Sequence, residues 1–313
     1  MAPMTDVTIL LPEFFPLDQI RQTVSSVLPG TRVFHDTEFD GSDSKVLVVT
    51  TFTKVDAAVV AKMPNLRFVQ VASTGYDNVD LSLLKSKGVK LSNIPVANKE
   101  SVAEHVMMMV LALLRGLVPL NAEIKAKRWP NLTQGRELKD KVFAIIGMGA
   151  IGTKLAERLL PFEVSTIYYD VVRQPQDSEQ KLGVTYYPLD DCLKLADIIS
   201  VHLPLTEETK GMFSTEKLSL MKQGCIFINT SRAEVVDEAA FVQAVKSGAI
   251  AAGIDVFAQE PPDFGSELFA LDGVIFTPHS AGATMESQER FMMETMRNVL
   301  RYLQGVEPLY KVG

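Results

Sequence analysis

The sequence predicts an α/β protein with two domains, each built on a doubly wound parallel sheet. Short apolar runs rich in β-branched residues alternate with amphipathic helical stretches along the chain. In addition, one of these runs leads into glycines at G-x-G-x-x-G spacing. Such alternation is typical of parallel sheets that are covered by helices on both faces. A chain of 313 residues is long enough to form two domains with separate cores.

The N-terminal third predicts the first and smaller domain. Its predicted strands are 7–11, 32–34, 46–51, 66–72 and 89–92, and its predicted helices are 17–28, 55–63 and 81–87. The next stretch, 101–117, is apolar on nearly every face, which predicts a helix that is buried on all sides, between the domains and at a subunit interface. Ser101 and Glu104 have the spacing of a capping box, which marks the start of this helix. Residues 119–135, which include the only tryptophan, Trp129, predict an extended arm.

A glycine-rich turn then opens the second domain. A predicted strand leads into Gly147, Gly149 and Gly152, a helix follows, and the next strand ends on Asp170. Glycines at this spacing permit a tight turn, close approach to a diphosphate, and close packing of the helix on the strand. The helix N-terminus then faces the phosphates, and the acid accepts hydrogen bonds from ribose hydroxyls. The stretch therefore predicts NAD as cofactor. NADP is disfavoured because Asp170 repels a 2′-phosphate, although the nearby Arg173 could tolerate one.

The rest of the chain continues the alternation. The predicted strands of this domain are 142–146, 166–169, 197–201, 225–229, 250–256 and 274–276, and its predicted helices include 215–221, 238–247 and a final long helix at 285–304. At least six strands are thus expected, which is the count of a full dinucleotide-binding fold.

Composition and charge exclude several kinds of partner. The net charge of −7 argues against nucleic acid and anionic membranes, because neither attracts an acidic protein. The longest apolar stretch, 106–114, is too short to span a bilayer. Cys192 and Cys225 are too few for a disulfide framework or a metal site, which favours a reducing, cytoplasmic environment and no bound metal. The first residues lack the basic leader of an export signal.

Three charged residues follow predicted strands of the second domain and would suit hydride chemistry on a 2-keto acid. Arg232 would hold the substrate carboxylate with its guanidinium fork and polarise the carbonyl group. His279 would exchange a proton with the reacting oxygen, and Glu260 would hold the protonated imidazole.

Each of these residues also has a simpler interpretation. Arg232 could be a surface charge, and Glu260 could be an exposed loop acid. Three other histidines compete with His279 for the catalytic role: His105 lies within an apolar helix and is interpreted as a core residue, His35 is interpreted as solvated, and His202 could contact the cofactor.

The order of the motifs resolves these alternatives. VASTGYDNVD, GMGAIG, HLPLTEETKGMF, INTSRAEVVDE, GIDVFAQEPP and TPHSAGAT follow one another along the chain. In this order they closely resemble the D-isomer-specific 2-hydroxyacid dehydrogenases, with a resemblance that runs from about residue 46 to residue 303.

The resemblance implies a function for each motif. The catalytic residues would be Arg232, Glu260 and His279, and the substrate-binding residues would be Thr51, Ser73, Thr74 and Gly75, where backbone N–H groups of 73–75 bind the carboxylate. The cofactor-binding residues would be Gly147, Gly149, Ala150, Ile151, Gly152, Asp170, His202, Pro204, Thr206, Thr230, Ser231, Asp255 and Gly282. Asp255 would hold the nicotinamide amide.

The resemblance also implies the domain organisation. Two Rossmann-like or flavodoxin-like domains would enclose the active site in a cleft. Residues 1–98 plus 288–313 would bind the substrate and 99–287 would bind NAD, with hinges near Asn98 and Met285. A dimerisation helix and arm at 101–139 would make the protein a homodimer.

The substrate is specified less well. Thr50, Thr51 and Phe52 lie where phosphoglycerate-oxidising relatives tend to have an arginine, which favours a small unphosphorylated 2-keto acid. Hydroxypyruvate, glyoxylate or an acid with an apolar side chain would fit. Glu260 stands where formate dehydrogenases have glutamine, which disfavours formate, whereas D-3-phosphoglycerate and phosphite stay as alternatives.

A different class of function is an NAD(H)-sensing binding protein like the corepressors that share this fold. Those corepressors retain the same arginine, glutamate and histidine, so the three residues do not discriminate between the two classes. The absence of an extended tail in this sequence favours an enzyme.

Overall fold

The computed structural model describes residues 6–131 and 135–312. It divides into two compact units, of which unit 1 comprises Met1–Asn98 and Met285–Gly313 and unit 2 comprises Lys99–Thr284. The domain boundary that the sequence places at residue 288 lies inside a helix that begins at Met285.

The helices and strands are numbered in chain order. The strands are β1 (Val7–Leu11), β2 (Arg32–His35), β3 (Val46–Val49), β4 (Phe68–Val71), β5 (Lys90–Ser92), β6 (Val142–Ile146), β7 (Ser165–Tyr169), β8 (Val184–Tyr186), β9 (Ile198–Val201), β10 (Cys225–Asn229), β11 (Ile250–Ile254), β12 (Val274–Phe276) and β13 (Lys311–Val312). The helices are α1 (Leu17–Val27), α2 (Ala57–Ala61), α3 (Leu81–Ser86), α4 (Lys99–Arg115), α5 (Leu117–Lys125), α6 (Ala150–Leu159), α7 (Gln176–Leu182), α8 (Leu189–Leu195), α9 (Thr215–Ser219), α10 (Glu238–Lys246) and α11 (Met285–Leu303).

Unit 1 contains a six-stranded sheet in the order β13-β5-β4-β3-β1-β2. Its first five strands are parallel, and β13 joins antiparallel to β5. The order β2-β1-β3-β4-β5 is that of the flavodoxin-like doubly wound sheet. Every residue of β1, β3 and β4 is buried, because helices cover both faces of a parallel sheet.

Unit 2 contains a seven-stranded, wholly parallel sheet in the order β12-β11-β10-β9-β6-β7-β8. When the strands of this unit are numbered 1 to 7 from β6 to β12 and the sheet is followed from β8 to β12, their order is 3-2-1-4-5-6-7. This is the dinucleotide-binding order with one further strand. Two apolar clusters are formed by residues of this sheet and of the helices. The predicted α/β class with two doubly wound parallel sheets is thus confirmed.

The helix α4 differs from its prediction in two ways. It begins at Lys99, and the Ser101 hydroxyl bonds Thr284 Oγ1 at 2.8 Å, so the capping-box interpretation is wrong. It is also not buried on all sides within the chain, because Met108 is 51% exposed and Leu111 is 36% exposed. One face of the helix is therefore left uncovered by this chain.

The segment predicted as an extended arm is partly helical. The helix α5 begins at Leu117 and places Pro119 in its first turn, where proline costs no intrahelical hydrogen bond. Trp129 follows the helix and is 86% exposed. Residues 132–134 of the predicted arm lie outside the described residues. Within the described part of the chain no single helix is long and apolar enough to cross a membrane, and only α4 and α5 together, bent by 65°, pass that test.

Candidate active site

The loops that follow the strands of unit 2 leave the sheet at one common edge, since all seven strands are parallel. The polar residues predicted to bind the cofactor or to act in catalysis follow β6, β7, β9, β10, β11 and β12. The strand order reverses between β6 and β9, and ligands of such sheets bind outside this position. The fold of unit 2 therefore brings these predicted residues to the edge where chemistry is expected.

The glycine turn after β6 is shaped by close packing of the backbone. A Cβ atom on Gly147, whose φ is +102°, would lie 2.5 Å from the carbonyl oxygen of His202, and one on Gly152 would lie 2.2 Å from the carbonyl oxygen of Gly147. Any side chain at either position would displace backbone. Gly149 is different, because nothing lies within 4 Å of the place where its Cβ would stand. Packing of the protein backbone therefore requires glycine at positions 147 and 152, but not at position 149.

Asp170 is fixed against this turn. Its Oδ2 accepts a hydrogen bond of 2.6 Å from the backbone N–H of Met148, and its Oδ1 accepts one of 3.1 Å from Val172. The Gln174 side chain adds a bond of 3.1 Å to the Met148 carbonyl oxygen. The acid predicted to receive the ribose is therefore held at the turn predicted to receive the diphosphate.

Two observations indicate that the residues of unit 2 fit a dinucleotide. The space above Gly149 is open beside the N-terminus of α6, where an α-helix leaves its first N–H groups without intrahelical partners. The buried hydroxyl of Thr230, in the loop after β10, has no hydrogen-bond partner within residues 6–131 and 135–312. A buried polar group without a partner is costly, and a bound ligand would satisfy it.

Arg232 is positioned by the turn that follows β10. Asn229 Oδ1 accepts from the backbone N–H and the hydroxyl of Ser231, at 3.0 and 2.8 Å, while its Nδ2 donates to the Arg232 carbonyl oxygen at 2.8 Å. The Arg232 guanidinium donates from Nη1 to the Ser231 carbonyl oxygen at 2.7 Å. Asn229 belongs to the motif INTSRAEVVDE, but its contacts with Ser231 and Arg232 were not predicted from the sequence.

His279 and Glu260 form a hydrogen-bonded pair. Glu260 Oε2 lies 2.7 Å from His279 Nδ1, and its Oε1 accepts a bond of 3.1 Å from the Phe257 N–H. Burial alone would raise the pKa of the Glu260 carboxyl. The hydrogen bonds from His279 and Phe257, together with the positive charges of His279 and Arg232, outweigh burial and lower that pKa. The three predicted catalytic residues are thus electrostatically coupled.

Asp255 organises the loop that contains His279. Its carboxylate is fully buried and accepts hydrogen bonds from the Thr277 hydroxyl, from the Ser280 N–H at 2.8 Å and from the Ala281 N–H at 2.9 Å. Its own carbonyl oxygen accepts from the His279 N–H at 2.7 Å. His279 adopts a left-handed backbone conformation with φ of +50°, which needs such support.

His105 lies next to this loop and was not predicted to take part in the site. Its Nε2 is 3.0 Å from Thr277 Oγ1 and 3.8 Å from Asp255 Oδ1. Burial lowers the pKa of His105, and the charge of Asp255 opposes this shift. His105 is only partly buried, and its contact with Thr277 joins residues 172 apart, which no local pattern could indicate.

The loop after β9 contains three of the predicted cofactor residues. His202 Nε2 bonds Ser200 Oγ at 2.9 Å, and burial lowers the pKa of His202 to about 4, so the ring is neutral at physiological pH. Thr209 Oγ1 donates to the Pro204 carbonyl oxygen at 2.6 Å and accepts from the Thr206 N–H at 2.8 Å. The backbone of His202 packs against the glycine turn, where its carbonyl oxygen would lie 2.5 Å from a Cβ atom on Gly147.

The predicted substrate loop belongs to unit 1 and follows β4. Ser73 Oγ donates to the Gly75 carbonyl oxygen at 2.9 Å, and Thr74 Oγ1 donates to Asn98 Oδ1 at 2.9 Å. Asn78 Nδ2 donates to the carbonyl oxygens of Thr50, at 3.0 Å, and of Thr53, which fixes the turn that contains Thr51. Thr50 and Asn78 were not predicted to bind substrate.

Comparison with known proteins gives one consistent result. Residues 107–281 match the family model of the D-isomer specific 2-hydroxyacid dehydrogenase, NAD binding domain. A hydroxypyruvate reductase of Thermotoga maritima is 38% identical over 262 residues, which are 82% of this chain and 84% of the relative. A D-3-phosphoglycerate dehydrogenase of Mycobacterium leprae is 39% identical over 265 residues, which are 84% of this chain but 50% of the relative.

A solved structure agrees with these relatives. The D-lactate dehydrogenase of Aquifex aeolicus, determined in complex with NAD and lactic acid, is 31% identical to this chain. The match covers 95% of this chain and 96% of that one, with a TM-score of 0.85.

Proposed function

The chain belongs to the D-isomer-specific 2-hydroxyacid dehydrogenase family and is an NAD-dependent oxidoreductase, and we propose that it reduces a small unphosphorylated 2-keto acid of the hydroxypyruvate type. The observation that supports this proposal most directly is the pair of His279 and Glu260 at 2.7 Å, with the charge of Arg232 acting on the same carboxylate. These are the groups that reduction of a carbonyl beside a carboxylate requires.

Each of the three residues has a distinct task. Glu260 accepts a hydrogen bond from Nδ1–H of His279 and thereby orients the ring so that Nε2 exchanges a proton with the substrate oxygen. Arg232 binds the substrate carboxylate through its planar fork and polarises the adjacent carbonyl group. Bound NADH supplies the hydride. We assign the nicotinamide amide to Asp255, whose buried carboxylate also fixes the loop that contains His279.

The substrate carboxylate is assigned to the loop of Ser73, Thr74 and Gly75. The side chains of Ser73 and Thr74 are engaged within the loop and with Asn98, so that the loop is stiff. A stiff loop loses little conformational entropy when its backbone N–H groups bind an anion.

Two buried atoms near Thr51 favour a substrate with a hydroxyl group. The Thr50 hydroxyl and Asn78 Oδ1 have no hydrogen-bond partner within the described ranges 6–131 and 135–312. The first is able to donate and the second only to accept, and a hydroxyl group is able to satisfy both. Hydroxypyruvate has such a group on carbon 3, whereas glyoxylate does not. Burial of an unpaired polar atom costs free energy, so a substrate that pairs both is preferred.

A second candidate is a 2-keto acid with an apolar side chain. Phe14, after β1, is 69% exposed, and Phe52, after β3, is 48% exposed. Their rings meet edge to face with centroids 5.6 Å apart. Because β1 and β3 are adjacent and parallel, this aromatic pair lies at the edge of the unit 1 sheet from which the turn of Thr51 leaves.

The protein is further proposed to be a homodimer. The helices α4 and α5 and the residues after them expose large apolar side chains, namely Met108, Leu111, Leu117, Val118, Ile124 and Trp129. An exposed apolar surface of this kind is typical of subunit interfaces. Light scattering of the purified protein measures the mass directly, and a monomeric mass at micromolar concentration would contradict the assignment.

A substrate panel tests the proposed function. We expect hydroxypyruvate with NADH to give the highest kcat/KM, with glyoxylate, phenylpyruvate, 3-phosphohydroxypyruvate and phosphite with NAD as comparisons. Thr50→Val removes one hydroxyl and should lower kcat/KM for hydroxypyruvate but not for glyoxylate. A preference for phenylpyruvate would favour the second candidate, and no turnover of any keto acid would contradict the proposal.

A further inference from the structure

Arg173 follows Asp170 by three residues, and its guanidinium is already bound by a carboxylate. Arg173 Nε donates to Glu179 Oε1 and Nη2 donates to Glu179 Oε2, both at 2.9 Å. This is the two-point geometry in which arginine and carboxylate bind most strongly. The Arg173 side chain is 62% exposed, whereas that of Glu179, in α7, is only 9% exposed. The carboxylate is therefore the fixed partner.

A buried tyrosine holds this carboxylate in place. The Tyr168 hydroxyl donates to Glu179 Oε1 at 2.7 Å and accepts from the Gln174 N–H at 2.8 Å, and Tyr168 is fully buried in β7. The hydrogen bonds from Arg173 and Tyr168 lower the pKa of Glu179 to about 2 against the opposing effect of burial. Glu179 is thus charged at every pH at which the protein works.

A second contact restrains the guanidinium from another side. Arg173 Cζ lies 5.6 Å from the centroid of the Tyr186 ring, which is within the range of a cation–π interaction. The same loop is joined to the glycine turn through Asp170 and Gln174, which bond the N–H and the carbonyl oxygen of Met148. Arg173 therefore belongs to the loop that faces the ribose in this fold, but two neighbours hold its side chain.

The retention of Arg173 by Glu179 bears on the choice between NAD and NADP. NADP differs from NAD by a phosphate on the ribose 2′-oxygen, and in dinucleotide-binding folds a nearby arginine accommodates that phosphate. Asp170 alone would repel it, but a mobile arginine three residues away would offset this repulsion. The arginine that is available here already makes two charge-assisted hydrogen bonds.

We infer that Glu179 is a positioning residue for cofactor choice, which retains Arg173 and so prevents it from pairing with a 2′-phosphate. Discrimination against NADP then depends on two carboxylates, of which Asp170 repels the phosphate and Glu179 withholds the cation. This inference concerns the cofactor and does not depend on which keto acid is reduced.

The first test is ligand binding without catalysis. Calorimetry of 2′,5′-ADP and of 5′-AMP measures the contribution of the 2′-phosphate alone. In Glu179→Gln, which keeps an acceptor for Tyr168 but loses the charge, we expect 2′,5′-ADP to bind roughly tenfold more tightly and 5′-AMP to change by less than about twofold. The ratio of kcat/KM for NADPH and NADH should shift in the same direction, through KM rather than kcat.

The second test compares the effect of Arg173→Ala on 2′,5′-ADP binding in the wild type and in Glu179→Gln. Arg173→Ala in the wild type should leave 2′,5′-ADP binding unchanged, because the guanidinium is engaged. In Glu179→Gln the same substitution should abolish the gain. An unchanged affinity in Glu179→Gln, or a gain that persists without Arg173, would overturn the inference, and neither result would bear on the proposed substrate.

Two further variants separate specificity from folding. Glu267→Gln removes the charge of an exposed ion pair with Lys246 and should change neither affinity, so it is the matched control. If Glu179→Gln does not fold, Glu179→Asp keeps the charge but shortens the side chain, which prevents the two-point contact. We then expect a smaller gain in 2′,5′-ADP binding, and no gain in a folded Glu179→Asp would contradict the inference.

Discussion

The glycine turn after β6 and the loop after β12 leave the same sheet at the same edge, but different forces hold them. The turn is fixed by lack of space, since a Cβ at Gly152 would lie 2.2 Å from the Gly147 carbonyl oxygen. The loop is fixed by hydrogen bonds to the buried carboxylate of Asp255, which also place His279 in its left-handed conformation. Substitutions that add atoms should therefore destabilise the glycine turn. Substitutions that remove a charge or a proton donor should instead impair the loop that contains His279.

The largest effect is expected when the reacting group of the loop is removed. His279→Ala should lower turnover of a good keto acid by roughly 10²–10⁴, because the proton donor is lost. NAD binding, measured by calorimetry, should not change, since the glycine turn is untouched. His35→Ala, which removes a histidine of unit 1, should retain the activity of the wild type. Turnover that survives in His279→Ala would exclude this histidine as the acid.

The next prediction compares alanine substitutions at two glycines of the turn. Gly152→Ala should lower the melting temperature, because overpacking by one methyl group costs about 1–3 kcal/mol and here the obstacle is backbone. Gly149→Ala should leave the melting temperature of the unliganded protein unchanged, since nothing lies within 4 Å of the new atom. It should still weaken NAD binding by roughly tenfold or more, because it fills the approach of the diphosphate. Equal melting temperatures of the two variants would contradict the steric account.

The smallest effect concerns the charge behind His279. Glu260→Gln should lower kcat by roughly tenfold through loss of ring orientation, while KM for NADH stays the same. The pKa of Glu260 is lowered in the folded state, so its ionised form stabilises the protein above the ordinary glutamate value of 4.5. This contribution is lost as the pH falls through the folded pKa.

Denaturant unfolding at several pH values measures this contribution. The difference in free energy of unfolding between the wild type and Glu260→Gln should be constant near pH 5 and shrink below 4.5. A difference that grows on acidification would show that Glu260 does not act through its charge.

Some elements were not predicted from the sequence, and one interpretation was wrong, each for an identifiable reason. The helix α7, with sequence QDSEQKL, is too polar and too short to give a period, and the three-residue β8 that follows it has the same limitation. Glu179 lies in α7, so its contact with Arg173 was not predicted. The capping-box interpretation failed because a long-range contact with Thr284 engages the Ser101 hydroxyl.

The sequence by itself determined the parallel α/β architecture, the glycine turn and the position of Asp170 at the end of β7. These features depend on periodicity and on the steric needs of single residues, which are local properties. It also placed Arg232, Glu260 and His279 after three different strands. It also predicted that Glu260 holds the imidazole of His279. The tertiary structure alone decided that a buried Asp255 supports the loop of His279 and that Glu179 engages Arg173. Those contacts depend on the order of strands in the sheet and on the balance between burial and pairing of charges, which no local pattern encodes.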